Sequence, residues 1–172
     1  MQSGTNIFGV ANLNEARDIR AVGRGWPILM LGACLPDEIE HAIKDKIMPT
    51  ISSLTEAKSF SKIAKKMNRN VHAHLKIDTG MGRLGCPSDQ AGALVEAIKQ
   101  LPNLSLKGIY THYASAEDKV TFSKRQRMTF AKILKSINHE FEFTHANNSA
   151  ALLHEPKSIY NLARPGLLVY GV

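Results

Sequence analysis

Val71–Asp78 reads VHAHLKID, with polar residues at every second position: His72, His74, Lys76 and Asp78. Side chains of an extended strand alternate between faces, so these four share one face, and Val71, Ala73, Leu75 and Ile77 share the other. Four polar side chains pointing into a barrel lumen are costly unless each is satisfied. A sheet-edge strand with one wet face would alternate in the same way. Lys76 and Asp78 sit at the C-terminal end of the strand, where barrel enzymes place their active sites. Thr79–Gly85 (TGMGRLG) follows, and its three glycines allow a tight loop and a close approach of backbone to a ligand. Arg83 lies inside that loop, a second cation close to Lys76. No Gly-Lys-Ser/Thr is present, so the loop is not a P-loop.

The elements that must position these residues alternate between short apolar strands and longer helices. Ile7–Ala11 reads as a strand, and Asn12–Val22 as a helix capped by Asn12 or Asn14. Pro27–Ala33 is a second strand, Pro36–Lys44 a short helix with proline in its first turn, and Ile47–Ile51 a third strand blemished by Pro49. Leu54–Met67 has helical spacing. Val71–Asp78 is the fourth strand, and Ser88–Leu101 its helix. Leu104–Tyr113 is the fifth strand, Val120–Ile137 a long helix, Glu142–Asn147 the sixth strand and Ser149–Leu153 a short helix. Leu162–Tyr170 carries a seventh strand, interrupted by Pro165 and Gly166. No internal repeat and no Rossmann glycine fingerprint occur. The pattern is α/β with a parallel sheet. Seven strands in one domain spanning 1–172 suggest a (β/α)8 barrel short by one unit, with a doubly wound sheet as the alternative.

Composition sets outer bounds. The chain has 172 residues, 44% hydrophobic and 22% charged, as expected of one globular domain rather than a disordered segment. No apolar run approaches the roughly 18 residues of a membrane span, and the start, MQSGTNIFGVAN, does not read as a secretory signal. Cys34 and Cys86 do not make a disulfide framework, so reduced thiols in the cytoplasm are the simplest reading. A net charge of +7 suits either nucleic acid or a small anionic ligand such as a phosphate. The basic stretches Lys62–Arg69 and Lys124–Arg127 read as solvated helix faces, without the aromatic residues that single-strand binding needs. The histidines offer no coherent metal site. Asp78 reads as a hydrogen-bond partner rather than a ligand, and His72, His74 and His145 as packing or hydrogen-bonding groups.

KIDTGMGRLG, Lys76–Gly85, resembles the signature of the alanine racemase family, and three further segments agree in order and spacing. Tyr110–Ala114 (YTHYA) is similar to the family's THxA strand end, His145–Ala151 (HANNSAA) to its H-x-x-N-S motif, and Ala163–Leu167 (ARPGL) to its R-x-G-[IL] turn. The resemblance runs from Phe8 to Val172. It implies an eight-stranded barrel followed by a β-rich domain, working as a homodimer on a small amino acid with pyridoxal 5′-phosphate. In the family, a lysine on the first strand holds the cofactor as a Schiff base. A tyrosine from the partner's second domain faces that lysine.

By the same resemblance, Asn148 and Ser149 lie near the cofactor, with Ser149 on its phosphate together with the backbone N–H groups of Gly166 and Leu167. A helix N-terminus offers free donors to such an anion, although a plain cap by Asn148–Ser149 is compatible with the pattern. Arg164 would donate to the pyridine nitrogen and keep it unprotonated, because arginine has no acceptor. His112 would hold Arg164 in place. Arg83 would contact the phenolic oxygen and the substrate carboxylate. Lys76 would be carbamylated and pair with Arg83: adjacent cations disfavour each other's charge, and a neutral amine can take up carbon dioxide to become an anion.

The expected activity is interconversion of L- and D-alanine, supplying D-alanine for peptidoglycan. A racemase for another amino acid such as serine, and a non-catalytic cofactor-binding barrel, stand beside it. The Schiff-base lysine and the second-domain tyrosine have no match here, so the chain alone is expected to be inactive. A barrel short of one strand has two unpaired edges and is expected to self-associate. Nucleic acid and membrane are not expected partners.

Overall fold

Asn12 begins the first helix by accepting a hydrogen bond from the Glu15 amide at 3.0 Å, and the Glu15 carboxylate returns to the Ala11 amide at 2.8 Å. Ser53 and Glu56 repeat this reciprocal cap at 3.2 and 2.6 Å. Each box satisfies amides that a helix start leaves open. The computed structural model describes residues 4–154 and 159–171. Met1–Ser3, at the N-terminal stretch read above, and Val172, the end of the resemblance, lie outside them. The chain forms two compact units, Met1–His74 with Ala97–Leu106, and Leu75–Glu96 with Lys107–Val172.

The first unit alternates strand and helix: β1 (Phe8–Val10), α1 (Leu13–Val22), β2 (Ile28–Met30), α2 (Ile39–Lys44), β3 (Met48–Ile51) and α3 (Leu54–Lys66), followed by the first half of β4 (Val71–Asp78). Its ladders are parallel, with Gly9 opposite Leu29 and Leu29 opposite Met48. Pro49 does sit in β3, opposite Met30, and the neighbouring Thr50 hydroxyl donates to the Met30 carbonyl at 2.8 Å. The helix expected from Pro36 begins only at Ile39. Pro36–Glu38 form a turn, whose Leu35 amide is taken by the Glu38 carboxylate at 2.9 Å. Ala16, Ile28, Met30, Ala42, Ile51, Ala57 and Phe60 fill the interior.

The second unit holds the end of β4, a two-residue strand β5 (Cys86–Pro87), most of α4 (Ala91–Lys99), the end of β6 (Leu104–Tyr110), α5 (Val120–Ser136), β7 (Phe143–His145), α6 (Ser149–His154) and α7 (Gly166–Val169). β5 lies parallel to β4, with Ile77 opposite Cys86, and β7 lies parallel to β6, with Tyr110 opposite His145. Tyr110, Phe130, Leu75, Ile77 and Ile109 are its largest buried side chains.

Two sequence readings change here. Ser88–Leu101 divides into a short 3-10 turn that continues from β5, Ser88–Gln90, and then α4. Leu162–Tyr170 is not a strand: Leu162 makes a single bridge to His145, and Gly166–Val169 is helical. Pro165 has no N–H for a ladder, and its carbonyl instead accepts from the Val169 amide at 3.2 Å.

Both cysteines are free thiols. Burial first, then Glu38, Asp37 and Glu56, pushes the Cys34 thiol up to about 12, which leaves it unreactive at neutral pH.

Candidate active site

The second unit gathers the strand end, the glycine loop and the three later motifs. Lys76 is 4% exposed and His74 fully buried, so the polar face of β4 is not the wet face of an edge strand. His72 departs from them: it is exposed, and its Nδ1 lies 2.7 Å from the Ser105 hydroxyl. The Asp78 carboxylate accepts from the amides of Gly80 and Met81 at 2.8 Å and of Gly82 at 3.0 Å. Burial alone would raise its pKa, but these three N–H bonds, together with Lys76, hold it below the usual carboxylate range. Asp78 thus shapes the loop, as a hydrogen-bond partner. Gly85, at φ +133°, closes it: a Cβ there would stand 2.6 Å from the Asp78 amide nitrogen.

The Lys76 ammonium lies over the Tyr110 ring, 5.6 Å from its centroid. Burial, then Arg83 and Arg164, lowers its pKa to about 8, against a smaller opposing pull from Asp78. Arg83 is exposed in the loop. It acts on Lys76 through its charge; no hydrogen bond joins the two among the described residues.

Arg164 is the most heavily bonded of the expected residues. Nη2 donates to the carbonyls of Thr111 at 2.8 Å and Ala146 at 2.9 Å, and Nη1 donates to His145 Nδ1. His112 Nδ1 is a fourth neighbour at 3.4 Å, at the outer edge of hydrogen bonding. His145 is therefore a closer support than His112. It stacks on Tyr110 with ring centroids 4.6 Å apart, and the Arg164 guanidinium lies 5.1 Å from that same ring. Burial lowers the Arg164 pKa to about 10, which leaves it charged. His112 is driven the other way from a charged state: burial, Arg164, Lys76 and Arg83 bring it to about 4, so it is neutral at pH 7.

Asn148 accepts from the Ala151 amide at 3.0 Å and so caps α6, while its amide donates to the Tyr113 carbonyl at 3.3 Å. Ser149 Oγ accepts from the Leu168 amide at 3.2 Å, which brings the H-x-x-N-S and R-x-G motifs together. The Gly166 amide is engaged with the Arg164 carbonyl at 2.9 Å.

Gln126 joins the site without any prominence in the sequence. Inside the basic stretch Lys124–Arg127 it reads as surface, yet it is 1% exposed. It bonds Thr79, His112 and Ala114. The signal for it is an uncharged residue at the helical spacing of Phe130 and Ile133, both buried on α5.

The donor set suits an anionic ligand. Arg83 and Arg164 both act on Lys76, while the lone pairs of Asp78, the nearby carboxylate, are occupied by backbone amides. The Nε–H of Arg164 has no partner among the described residues and can meet an unprotonated ring nitrogen. Among the described residues no group of His, Cys, Asp and Glu could hold a metal ion.

A family model for the alanine racemase N-terminal domain matches residues 1–172. The chain belongs to the alanine racemase family. The alanine racemase of Clostridium novyi is 37% identical over 176 residues, covering 99% of this chain and 46% of that protein. That of Methanococcus maripaludis is 34% identical, covering 100% and 48%. The chain thus spans about half the length of the curated relatives it matches. The crystal structure of alanine racemase from E. faecalis superposes with a TM-score of 0.92 at 27% identity, over 99% of this chain and 47% of that one. Alanine racemase from Bacillus anthracis with bound L-Ala-P gives 0.88 at 30%, over 99% and 45%. A histidine racemase from Leuconostoc mesenteroides, 22% identical, shares the fold at 0.89. The architecture is that of the alanine racemase barrel domain, not a doubly wound sheet. No helix among the described residues is long and apolar enough to cross a membrane.

Proposed function

We propose that this chain supplies the cofactor-holding barrel of a pyridoxal-phosphate-dependent alanine racemase. The intact enzyme would be a cytoplasmic homodimer that interconverts L- and D-alanine and provides D-alanine for peptidoglycan. The observation that carries the reading is the setting of Arg164: a cation held by two carbonyls and a histidine, leaving Nε–H for a ring nitrogen.

Pyridoxal phosphate, when bound, withdraws electrons from the substrate's α-carbon and so acidifies its hydrogen. Arg164 cannot give up its proton to the ring nitrogen, so it limits that withdrawal and favours return of the proton over side reactions. His112, kept neutral, can pack beside Arg164 without adding a charge there. Ser149, Asn148 and the turn at Gly166–Leu167 would hold the phosphate end. Of the two turn amides that the family resemblance makes donors, that of Gly166 is engaged within the chain, which leaves Leu167 as the better candidate. Arg83 would meet the phenolic oxygen and the substrate carboxylate. Lys76 would be carbamylated and supply Arg83 with an anion.

The groups that the family sets on either side of the substrate carbon have no counterpart among the residues matching its motifs. The chain by itself is therefore expected to bind cofactor without racemising alanine. Titration with pyridoxal phosphate, followed by fluorescence, tests this: saturable binding weakened by Ser149→Ala and Arg164→Ala supports the reading. Absence of binding overturns it, and saturable racemisation by the purified chain overturns the expected inactivity. Comparison of alanine with serine in an intact enzyme carrying this barrel separates the two substrate readings.

A further inference from the structure

We propose that Gln126 is a positioning residue that couples the glycine loop carrying Arg83 to the strand end carrying His112. It deepens the cofactor-site reading, on which it rests for the roles of Arg83 and His112.

Every bond of the Gln126 amide is assigned by its partner. Oε1 lies 3.0 Å from the Ala114 amide, which can only donate. Nε2 lies 3.1 Å from the His112 carbonyl, which can only accept. These two contacts fix the flip of the amide, and the second Nε2 hydrogen goes to Thr79 Oγ1 at 3.2 Å. Thr111 donates its one hydroxyl hydrogen to the Ile77 carbonyl at 2.9 Å. In the 2.7 Å contact between Thr79 and Thr111, Thr79 is therefore the donor. The result is a directed chain: Gln126 amide to Thr79 hydroxyl, to Thr111 hydroxyl, to the Ile77 carbonyl between Lys76 and Asp78.

Gln126 is 1% exposed, and Thr111 is fully buried. Buried networks of this kind are rigid when complete and costly when a member is lost. The chain of bonds has a place in the site's electrostatics as well as its packing. Thr79 is the first residue of the Arg83 loop. Residues 112 and 114 flank Tyr113 in the segment that follows β6, so Gln126 holds both sides of that residue. Moving one segment relative to the other changes the distance from His112 to Arg83 and its access to solvent.

The experiment is an NMR titration of His112 in the cofactor-free chain, comparing wild type with Q126L, T79V and F130L. Phe130 is a buried residue of the same helix, away from the hydrogen-bond chain, so F130L controls for general loosening. Burial, and then repulsion from Arg164, Lys76 and Arg83, which face His112, hold its wild-type midpoint far below an ordinary histidine. Q126L and T79V are expected to raise the midpoint by about one pH unit, and F130L to leave it in place. T79V is nearly isosteric and carries the test if Q126L does not fold. An unmoved midpoint in T79V overturns the coupling, and so does an equal shift in F130L. Failure of the wild-type chain to bind pyridoxal phosphate would remove the cofactor reading, whereas the coupling through Gln126 stands or falls on the His112 midpoints alone.

Discussion

Arg164 donates to the carbonyl oxygen of Thr111 at 2.8 Å, one residue before His112 in the chain. With Ala146 and His145 as further acceptors, the planar guanidinium is fixed on two strand ends at once. Lysine has three donors on one atom and cannot reproduce that fork. Arg164→Lys is expected to lose at least one charged hydrogen bond to a buried carbonyl, about 2 kcal/mol. A lower melting temperature and weaker pyridoxal phosphate binding would be measured together. A variant matching wild type in both would show that the fork is dispensable.

Asp78 organises the glycine loop through three amides. Asp78→Ala removes all three acceptors and should cost about 1–2 kcal/mol, as loss of a helix cap does. Asp78→Asn keeps one oxygen, and that oxygen already serves Gly80 and Met81 at 2.8 Å, so it should cost less. Amide exchange at Gly80–Gly82 should speed up in the order wild type, Asn, Ala. Equal exchange in all three would mean that the loop holds itself.

Much of this site is legible from type and spacing. The alternation in VHAHLKID sets the bounds of β4, and Gly80, Gly82 and Gly85 all take positive φ angles, as a tight loop requires. Three things are not legible. Gln126 reads as a surface residue beside Lys124 and Arg125, because burial on α5 depends on what packs against that helix. His145 outranks His112 as a support for Arg164 because Arg164 bonds across strands, which spacing along the chain does not encode. The LLVY run reads as a strand because apolar runs of that length are ambiguous, and Pro165 turns it into a helical turn.

Lys76 owes its lowered pKa of about 8 to burial, Arg83 and Arg164. The fall from the ordinary lysine value of 10.5 to about 8 raises the fraction of neutral amine near pH 7 by ~300-fold. The neutral amine is the form that reacts with carbon dioxide. Incubation with 13C-bicarbonate should therefore give a carbamate carbon signal that is missing in Lys76→Ala and weakened in Arg83→Ala, where the product anion loses its partner. An electron-density map with a bare amine at Lys76 would sink the assignment.

His112 makes the stability of the chain pH-dependent in a definite window. Its pKa falls from the ordinary histidine value of 6.5 to about 4, through burial and three cations. Between those values the unfolded chain binds a proton that the folded chain does not, so stability rises with pH there and is lost as pH falls from about 6.5 to about 4. His112 is partly exposed, so solvent screens some of the effect, and the loss should be on the order of 2 kcal/mol. Asp78 acts in a separate window. Its folded pKa lies below 3.8, so the stability it contributes is kept at higher pH and lost only as pH falls below that value. Urea melts from pH 7 to 3 should therefore show two descending steps. His112→Asn should remove the upper step and leave the lower, whereas Asp78→Asn should do the reverse. A single step that neither variant alters would refute both assignments.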